Sequence, residues 1–133
     1  MTTNEEDDMT AGTAVGTLWA VTLDCADPEP LAQFWSTALG GTIAHSSENF
    51  FGVELPGGPW IGAYRIDDYA PPEWPEGESP KQFHLDLSVS DLDAAEKQLL
   101  ELGARKAEHQ PEPERWRVFL DPAGHPFCVT NMG

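Results

Sequence analysis

Positive charge is what this chain has least of. Its 133 residues carry 7 Lys and Arg against 23 Asp and Glu, a formal charge of −16. Such a balance repels nucleic-acid phosphates and anionic membrane surfaces, which are therefore excluded as partners. Cysteine is scarce too: only Cys25 and Cys128 occur, too few for a disulfide framework. The first residues, Met1-Thr2-Thr3-Asn4-Glu5-Glu6-Asp7-Asp8, are acidic where a secretory leader is basic and then apolar. Together these features make a reducing cytoplasm the expected compartment. No apolar run approaches the roughly 20 residues of a membrane span. Phosphate-binding loops, zinc-finger spacings and serine-hydrolase elbows are missing as well.

What the chain does have is 40% apolar residues and five Trp, enough for one domain or two small halves sharing a core. The clearest local signal is Phe83-His84-Leu85-Asp86-Leu87-Ser88-Val89-Ser90, apolar and polar in strict alternation. That is the period of a strand with two unlike faces. Phe83, Leu85, Leu87 and Val89 point toward a helix; His84, Asp86 and Ser88 point toward water or a polar cavity. Thr13–Cys25 reads the same way, with Trp19, Val21, Leu23 and Cys25 on the helix side.

Asp27-Pro28 opens a helix, a carboxylate at the N-cap and Pro at the first turn. Leu31, Phe34, Trp35, Ala38 and Leu39 follow at helical spacing, and Gly40-Gly41 ends it. Strands are predicted over Thr42–His45, Phe50–Leu55 and Trp60–Ile66. Pro71, Pro72, Pro75, Pro80 and Gly77 make 67–80 a linker. After the strand at Phe83, a helix capped near Ser90 or Asp91 carries Leu92, Ala95, Leu99 and Leu102 and stops at Gly103. Strands over Ala104–His109, Trp116–Leu120 and Pro126–Thr130 complete the order. The predicted organisation is an acidic tail (1–13) without fixed structure and one domain over 14–133. Within that domain, module one is 14–66, the linker 67–80 and module two 81–131.

The two βαβββ halves also match in sequence. Leu23–His45 lies against Leu87–His109 with Asp27 opposite Asp91, and Leu39-Gly40 answers Leu102-Gly103 after one residue of slippage. Duplication has a physical consequence. Each four-stranded sheet covers one face with its helix, and the two bare faces, curled together, enclose one cavity that His84, Asp86 and Ser88 would line. Trp60 and Tyr64 share the parity of Gly62 on that face, and flat rings there suit a planar or apolar organic ligand. Trp74, in the linker, is expected over the cavity mouth or at a subunit contact. Trp19, Phe34 and Trp35 have the parity of the helix–sheet core. Cys128 has cavity parity and Cys25 helix parity, which argues against a disulfide between them. His125 reads as a turn-stabilising side chain, His45 and His109 as exposed strand ends, and Arg65, Arg115 and Arg117 as partners of surface carboxylates.

Several of these residues carry a family resemblance. Leu23-Asp24-Cys25-Ala26-Asp27-Pro28 with Leu31-Ala32-Gln33-Phe34-Trp35, His84-Leu85-Asp86-Leu87, Leu102-Gly103-Ala104 and Asp121-Pro122-Ala123-Gly124-His125-Pro126-Phe127-Cys128 resemble the vicinal-oxygen-chelate superfamily. The likeness is strongest to its small glyoxalase-like, bleomycin-resistance-like members and spans about residues 15–130. It implies an α+β fold of two βαβββ modules forming a curled mixed sheet around a cavity, and frequently a homodimer, sometimes with exchanged halves. It says little about reaction, since that superfamily hosts lyases, isomerases, dioxygenases and pure binders. Metal-dependent members take two ligands from each module. Those positions fall here on Ala20 and His84, on Gly62 (or Ala63), and on Cys128, where the enzymes usually carry Glu.

Ala and Gly offer no donor, so no metal cofactor is expected; if one binds, His84 and Cys128 are its ligands, with Asp86 a third that could be recruited. His84 and Asp86 either hold the cavity wall by hydrogen bonds or serve as ligand hydrogen-bonder or general base and its orienting carboxylate. The expected function is binding of a small organic ligand without a catalytic metal, through Trp60, Tyr64, Trp74, His84, Asp86 and Cys128. The alternative is an enzyme, either metal-dependent with altered ligands or a metal-free acid–base catalyst using His84 and Asp86.

Overall fold

The computed structural model describes residues 14, 16–75, 77 and 84–131. The predicted acidic tail and Phe83 lie outside them. Module one runs β1 (Ala20–Cys25), α1 (Pro28–Leu39), β2 (Thr42–Ser46), β3 (Phe50–Glu54) and β4 (Trp60–Arg65). Module two runs β5 (Leu85–Ser88), α2 (Leu92–Leu102), β6 (Arg105–Lys106), β7 (Trp116–Leu120) and β8 (Pro126–Thr130). The strand orders are β1-β4-β3-β2 and β5-β8-β7-β6, so the repeat is also a repeat of topology. In each sheet the first strand pairs in parallel with the last, and the other neighbours are antiparallel. The α+β fold of paired βαβββ modules is the predicted one, and the two sheets stay separate instead of closing on each other. No helix among the described residues is long and apolar enough to cross a membrane.

The two helices start differently. Asp91 caps α2 by accepting the N–H groups of Asp93 and Ala94 at 2.9 and 3.1 Å. Asp27 stands at the equivalent place before α1 but makes no capping bond, so that start rests on the fixed φ of Pro28. Both helices stop on a glycine in the left-handed region, Gly40 at φ 69° and Gly103 at φ 113°.

One apolar core serves both modules. Leu23 and Cys25 of β1, Val53 of β3 and Ile61 and Ala63 of β4 meet Leu31, Phe34 and Trp35 of α1; Phe119, Phe127 and Val129 of the second sheet join the same cluster. The Trp35 and Phe127 rings lie 5.0 Å apart, and each fully buried side chain of this kind contributes about 2–3 kcal/mol. The helix-bearing faces of both sheets thus look into shared core, and their open faces lie on the far sides from it.

Trp19 does not belong to that core, against the parity argument. β1 begins only at Ala20, so Trp19 stands beyond the reach of α1, 64% exposed, with its ring 5.5 Å from that of Trp60. The strand predicted over Ala104–His109 shrinks to Arg105–Lys106 because a side chain takes over its pairing. The Ala107 N–H still donates to the Val118 carbonyl at 3.1 Å, but beyond it Gln110 accepts the Val118 N–H and donates to the carbonyls of Val118 and Ala107, in place of further backbone pairing.

A polar joint ties the modules at one corner. Asp121 is wholly buried. Its Oδ1 accepts the N–H groups of Ala123 and His125, both at 2.9 Å, and its Oδ2 accepts the Trp35 indole N–H at 3.0 Å. Burial pushes this carboxyl above its ordinary range, against the pull of His125 and Trp35. The His125 ring does more than support its own turn: Nε2 donates to the Asp24 carbonyl at 2.7 Å, across the module boundary. Tyr69, at the head of the linker, donates its hydroxyl to the Ala123 carbonyl at 2.8 Å, and burial holds its pKa well above the usual phenol range.

Candidate functional site

Alternation along each strand sorts the predicted site residues onto the two open faces. On the first sheet, Ile61 and Ala63 face the core, so Trp60, Gly62 and Tyr64 face outward, beside Thr22 on β1 and Gly52 on β3. Gly52 and Gly62 sit opposite each other on adjacent strands, leaving a shallow trough in the sheet surface. Aromatic rings fill it. A Cβ added at Gly62 would lie 2.8 Å from the Phe50 ring and 2.8 Å from Thr22 Oγ1, and one added at Gly52 would lie 3.1 Å from the Trp60 ring. The wall continues through Trp19 against Trp60 and through His45, whose ring is 5.7 Å from Phe50. Tyr64 stands at its rim, 45% exposed. Phe50 was not singled out in the sequence; its signal was the pair of facing glycines, which only a neighbouring ring can cover.

On the second sheet, Asp86 of β5, Cys128 of β8 and Val118 of β7 sit side by side. His84 reaches Asp86 along the same strand face, Nε2 to Oδ1 at 3.2 Å. The donor atoms of His84, Asp86 and Cys128 all fall within 4.8 Å of one another. Their settings differ: the side chains of His84 and Asp86 are 32% and 63% exposed, and Cys128 is buried among Ala107 and Val118, with Trp74 and Trp116 packed against them. Trp74 thereby covers part of this face from the linker, its ring 5.2 Å from that of His109. Trp60 and Tyr64 stand on the other sheet.

The two cysteines occupy different clusters and neither is in a disulfide. Burial and then the Asp27 carboxylate push the Cys25 thiol up to about 11, which keeps it protonated and unreactive at neutral pH. Arg117 pairs with Asp93 at 2.9 Å and Glu96 at 3.1 Å. Burial alone would lower its pKa, but those carboxylates outweigh it and raise it. A cleft of about 350 Å³ lies between α1 and α2, on the helix side, lined by residues such as Ala38, Leu87, Leu99 and Val129. None of the predicted site residues borders it.

The register settles which residue of module one answers Cys128. Thr22 pairs with Gly62 as Asp86 pairs with Cys128, so the position is Gly62 and not Ala63. That decides the fit of a four-donor metal centre. Ala20 has no donor atom, and the space above Gly62 is already taken by Phe50 and Thr22. A centre drawing two ligands from each module does not fit this chain.

Comparison with known proteins accords with the fold. Residues 20–130 match the family model described as a glyoxalase-like domain. A glyoxalase/bleomycin resistance protein/dioxygenase family enzyme from Burkholderia phytofirmans PsJN superposes with a TM-score of 0.65 at 17% identity, covering 86% of this chain and 97% of its own. The oxidase ChaP-H2 gives a TM-score of 0.63 at 19% identity, covering 90% and 96%. A variant of the fosfomycin resistance protein FosX from Listeria monocytogenes, complexed with Mn(II) and a dihydroxypropylphosphonic acid, gives 0.65 at 17% identity, covering 90% and 91%. The search of curated proteins finds no match. At these identities the likeness carries the fold and leaves the chemistry to the site itself.

Proposed function

The chain belongs to the glyoxalase-like domain family, and from that premise we propose that it binds a small planar or apolar organic ligand between open sheet faces of the two modules, module one of one copy meeting module two of a second. The observation that carries this reading is the aromatic wall: Trp60 laid over Gly52 and Phe50 over Gly62, the latter a position where a chelating member of the fold would need a donor atom. Ring faces offer dispersion and stacking to a flat ligand, worth about 0.5–1.5 kcal/mol per ring pair beyond the buried area. In this proposal Trp60 and Tyr64 stack on the ligand, His84 with Asp86 hydrogen-bonds its polar edge, and Cys128 and Trp74 line the opposite wall. Binding of the ligand needs no four-donor metal centre. We assign the protein to the cytoplasm, with a small molecule as its partner.

A thermal-shift screen of the full chain against planar metabolites and aromatic antibiotics tests the reading. A stabilising compound should quench tryptophan fluorescence, and Trp60→Ala should weaken it at least about tenfold; unchanged affinity in that variant would remove the aromatic wall from the site.

The 3.2 Å contact between His84 and Asp86 favours a second reading, metal-free acid–base catalysis with His84 as base and Asp86 orienting it. Turnover of a bound compound that His84→Ala abolishes would establish it. We also propose a homodimer. Among the described strands β1 and β5 are sheet edges, and Leu18 and Trp19 beside β1 are 71% and 64% exposed. Unpaired edge backbone next to bare apolar surface favours pairing with a second copy. Sedimentation at low micromolar concentration would show a dimer; a monomer there would end the idea.

A further inference from the structure

The repeat packs its two helices unequally. With Asp27 opposite Asp91, Leu31 falls opposite Ala95, Phe34 opposite Gln98 and Trp35 opposite Leu99. α1 fills the space over its sheet with those large side chains, all three buried, and α2 has smaller or polar ones in their places. At these positions of α2 lies the cleft of about 350 Å³ between the helices, away from the open sheet faces. We propose that this cleft is a second binding site, and that it takes a small amphiphilic cation, an apolar body with an ammonium group at one end.

The cleft has an apolar floor and a polar rim. Leu87 and Val89 at the end of β5, Val129 of β8, Ala95 and Leu99 of α2 and Ala38 of α1 supply the floor. Thr37, Gln98 and Glu101 are exposed at the edge. The volume lies near the lower end of the range of about 300–1,000 Å³ usual for ligand pockets, which suits a small molecule better than a polypeptide segment. Methylenes laid on that floor leave water, and this supplies the drive to bind.

The charge at the opening selects the cation. Thr37 and Ala38 belong to the last turn of α1, Glu101 and Leu102 to the last turn of α2, so the negative ends of two helix dipoles border one cleft. Helices commonly offset that end with Lys, Arg or His, but neither last turn here holds a basic residue. Glu101 adds a full negative charge where a carboxylate is least favoured, and among the described residues it is in no ion pair. Lys97, a turn earlier on α2, does not pair with it. A ligand ammonium supplies the missing positive charge; a ligand carboxylate in the same place would be repelled by Glu101 and by both helix ends. The overall charge of −16 draws cations toward the whole surface, and the cleft gives them a place to stay.

The full chain is titrated at neutral pH with hexylamine, which is protonated there, and with 1-hexanol and hexanoate as matched neutral and anionic probes, followed by backbone amide NMR. Hexylamine should saturate in the low-millimolar range that a few buried methylenes reach, shifting the amides of Ala38, Ala95 and Leu99. Hexanol should bind about fivefold more weakly, and hexanoate more weakly still. Glu101 is exposed, so Glu101→Gln keeps the fold; it should remove most of the preference for hexylamine and leave hexanol unchanged. Ala95→Leu, which gives α2 the side chain that α1 carries at Leu31, should exclude both probes. Equal binding of hexylamine and hexanol overturns the proposal. So does a Glu101→Gln variant that keeps the full preference, which marks diffuse attraction to an acidic surface. Failure of hexylamine to saturate, or shifts confined to other parts of the chain, overturns it as well. Trp60→Ala should leave the titration unchanged, so this site and the ligand proposed at the open sheet faces stand or fall separately.

Discussion

Replacing Asp121 with Ala should be among the most damaging single changes available to this chain. The carboxylate is wholly buried and accepts three N–H groups, from Trp35, Ala123 and His125, at 3.0, 2.9 and 2.9 Å. Each hydrogen bond to a charged acceptor is worth roughly 1.5–3 kcal/mol, and each donor left unmade in the interior costs about 1–3 kcal/mol. One relief opposes this, because burial disfavours the charged carboxylate and its removal ends that cost. The donors outnumber the relief, and a net loss of about 3 kcal/mol is expected, a large share of the 5–15 kcal/mol typical of a domain. Urea unfolding followed by tryptophan fluorescence should show a midpoint lowered by about 1 M or more with unchanged slope. Trp35→Phe should lose less, since one bond goes and most of the ring stays. The double variant should fall short of the sum, because the indole donor can be orphaned only once. A loss under about 1 kcal/mol for Asp121→Ala, or strict additivity, would refute the joint as a stabilising element.

Cys25 makes stability fall in alkali. Its thiol is raised in the fold to about 11 from 9.0, so the unfolded chain ionises first and stability drops as pH rises from 9 toward 11, with none of this loss below 9. Urea midpoints across that range should decline less in Cys25→Ala, with Tyr69→Phe as background because Tyr69 is raised as well; an identical decline would exclude the thiol. Gly62→Ala should cost about 1–3 kcal/mol by driving a methyl into Phe50 and Thr22. Phe50→Leu should recover part of that cost, and purely additive effects of the two substitutions would show that the ring does not cover the glycine.

Short-range rules carried the sequence a long way. Alternation at Leu85–Ser88, the Asp91 cap and the glycines at 40 and 103 are decisions each element makes from its own residues, and they came out as predicted. The shared strand face of His84 and Asp86 was legible for the same reason, while their 3.2 Å contact depends on rotamers that alternation does not specify. Parity misled at Trp19 because it tells which way a side chain points and not where the helix covering it ends. Gln110 standing in for a strand, and Phe50 roofing Gly62, depend on neighbours in the sheet that no local window contains. The bond between Trp35 and Asp121 spans 86 residues and joins two repeats. Nothing in either repeat alone announces it.

That bond gives the duplicated halves a polarity that their common ancestry did not. Trp35 belongs to the first repeat and Asp121 to the second, whose counterpart in the first is the Leu55-Pro56-Gly57-Gly58 turn, with no acid to offer. Two first halves brought together would strand a pair of indole protons, and two second halves a pair of carboxylates. Only unlike halves mate, bolt into socket, whether they come from one chain or are traded between two.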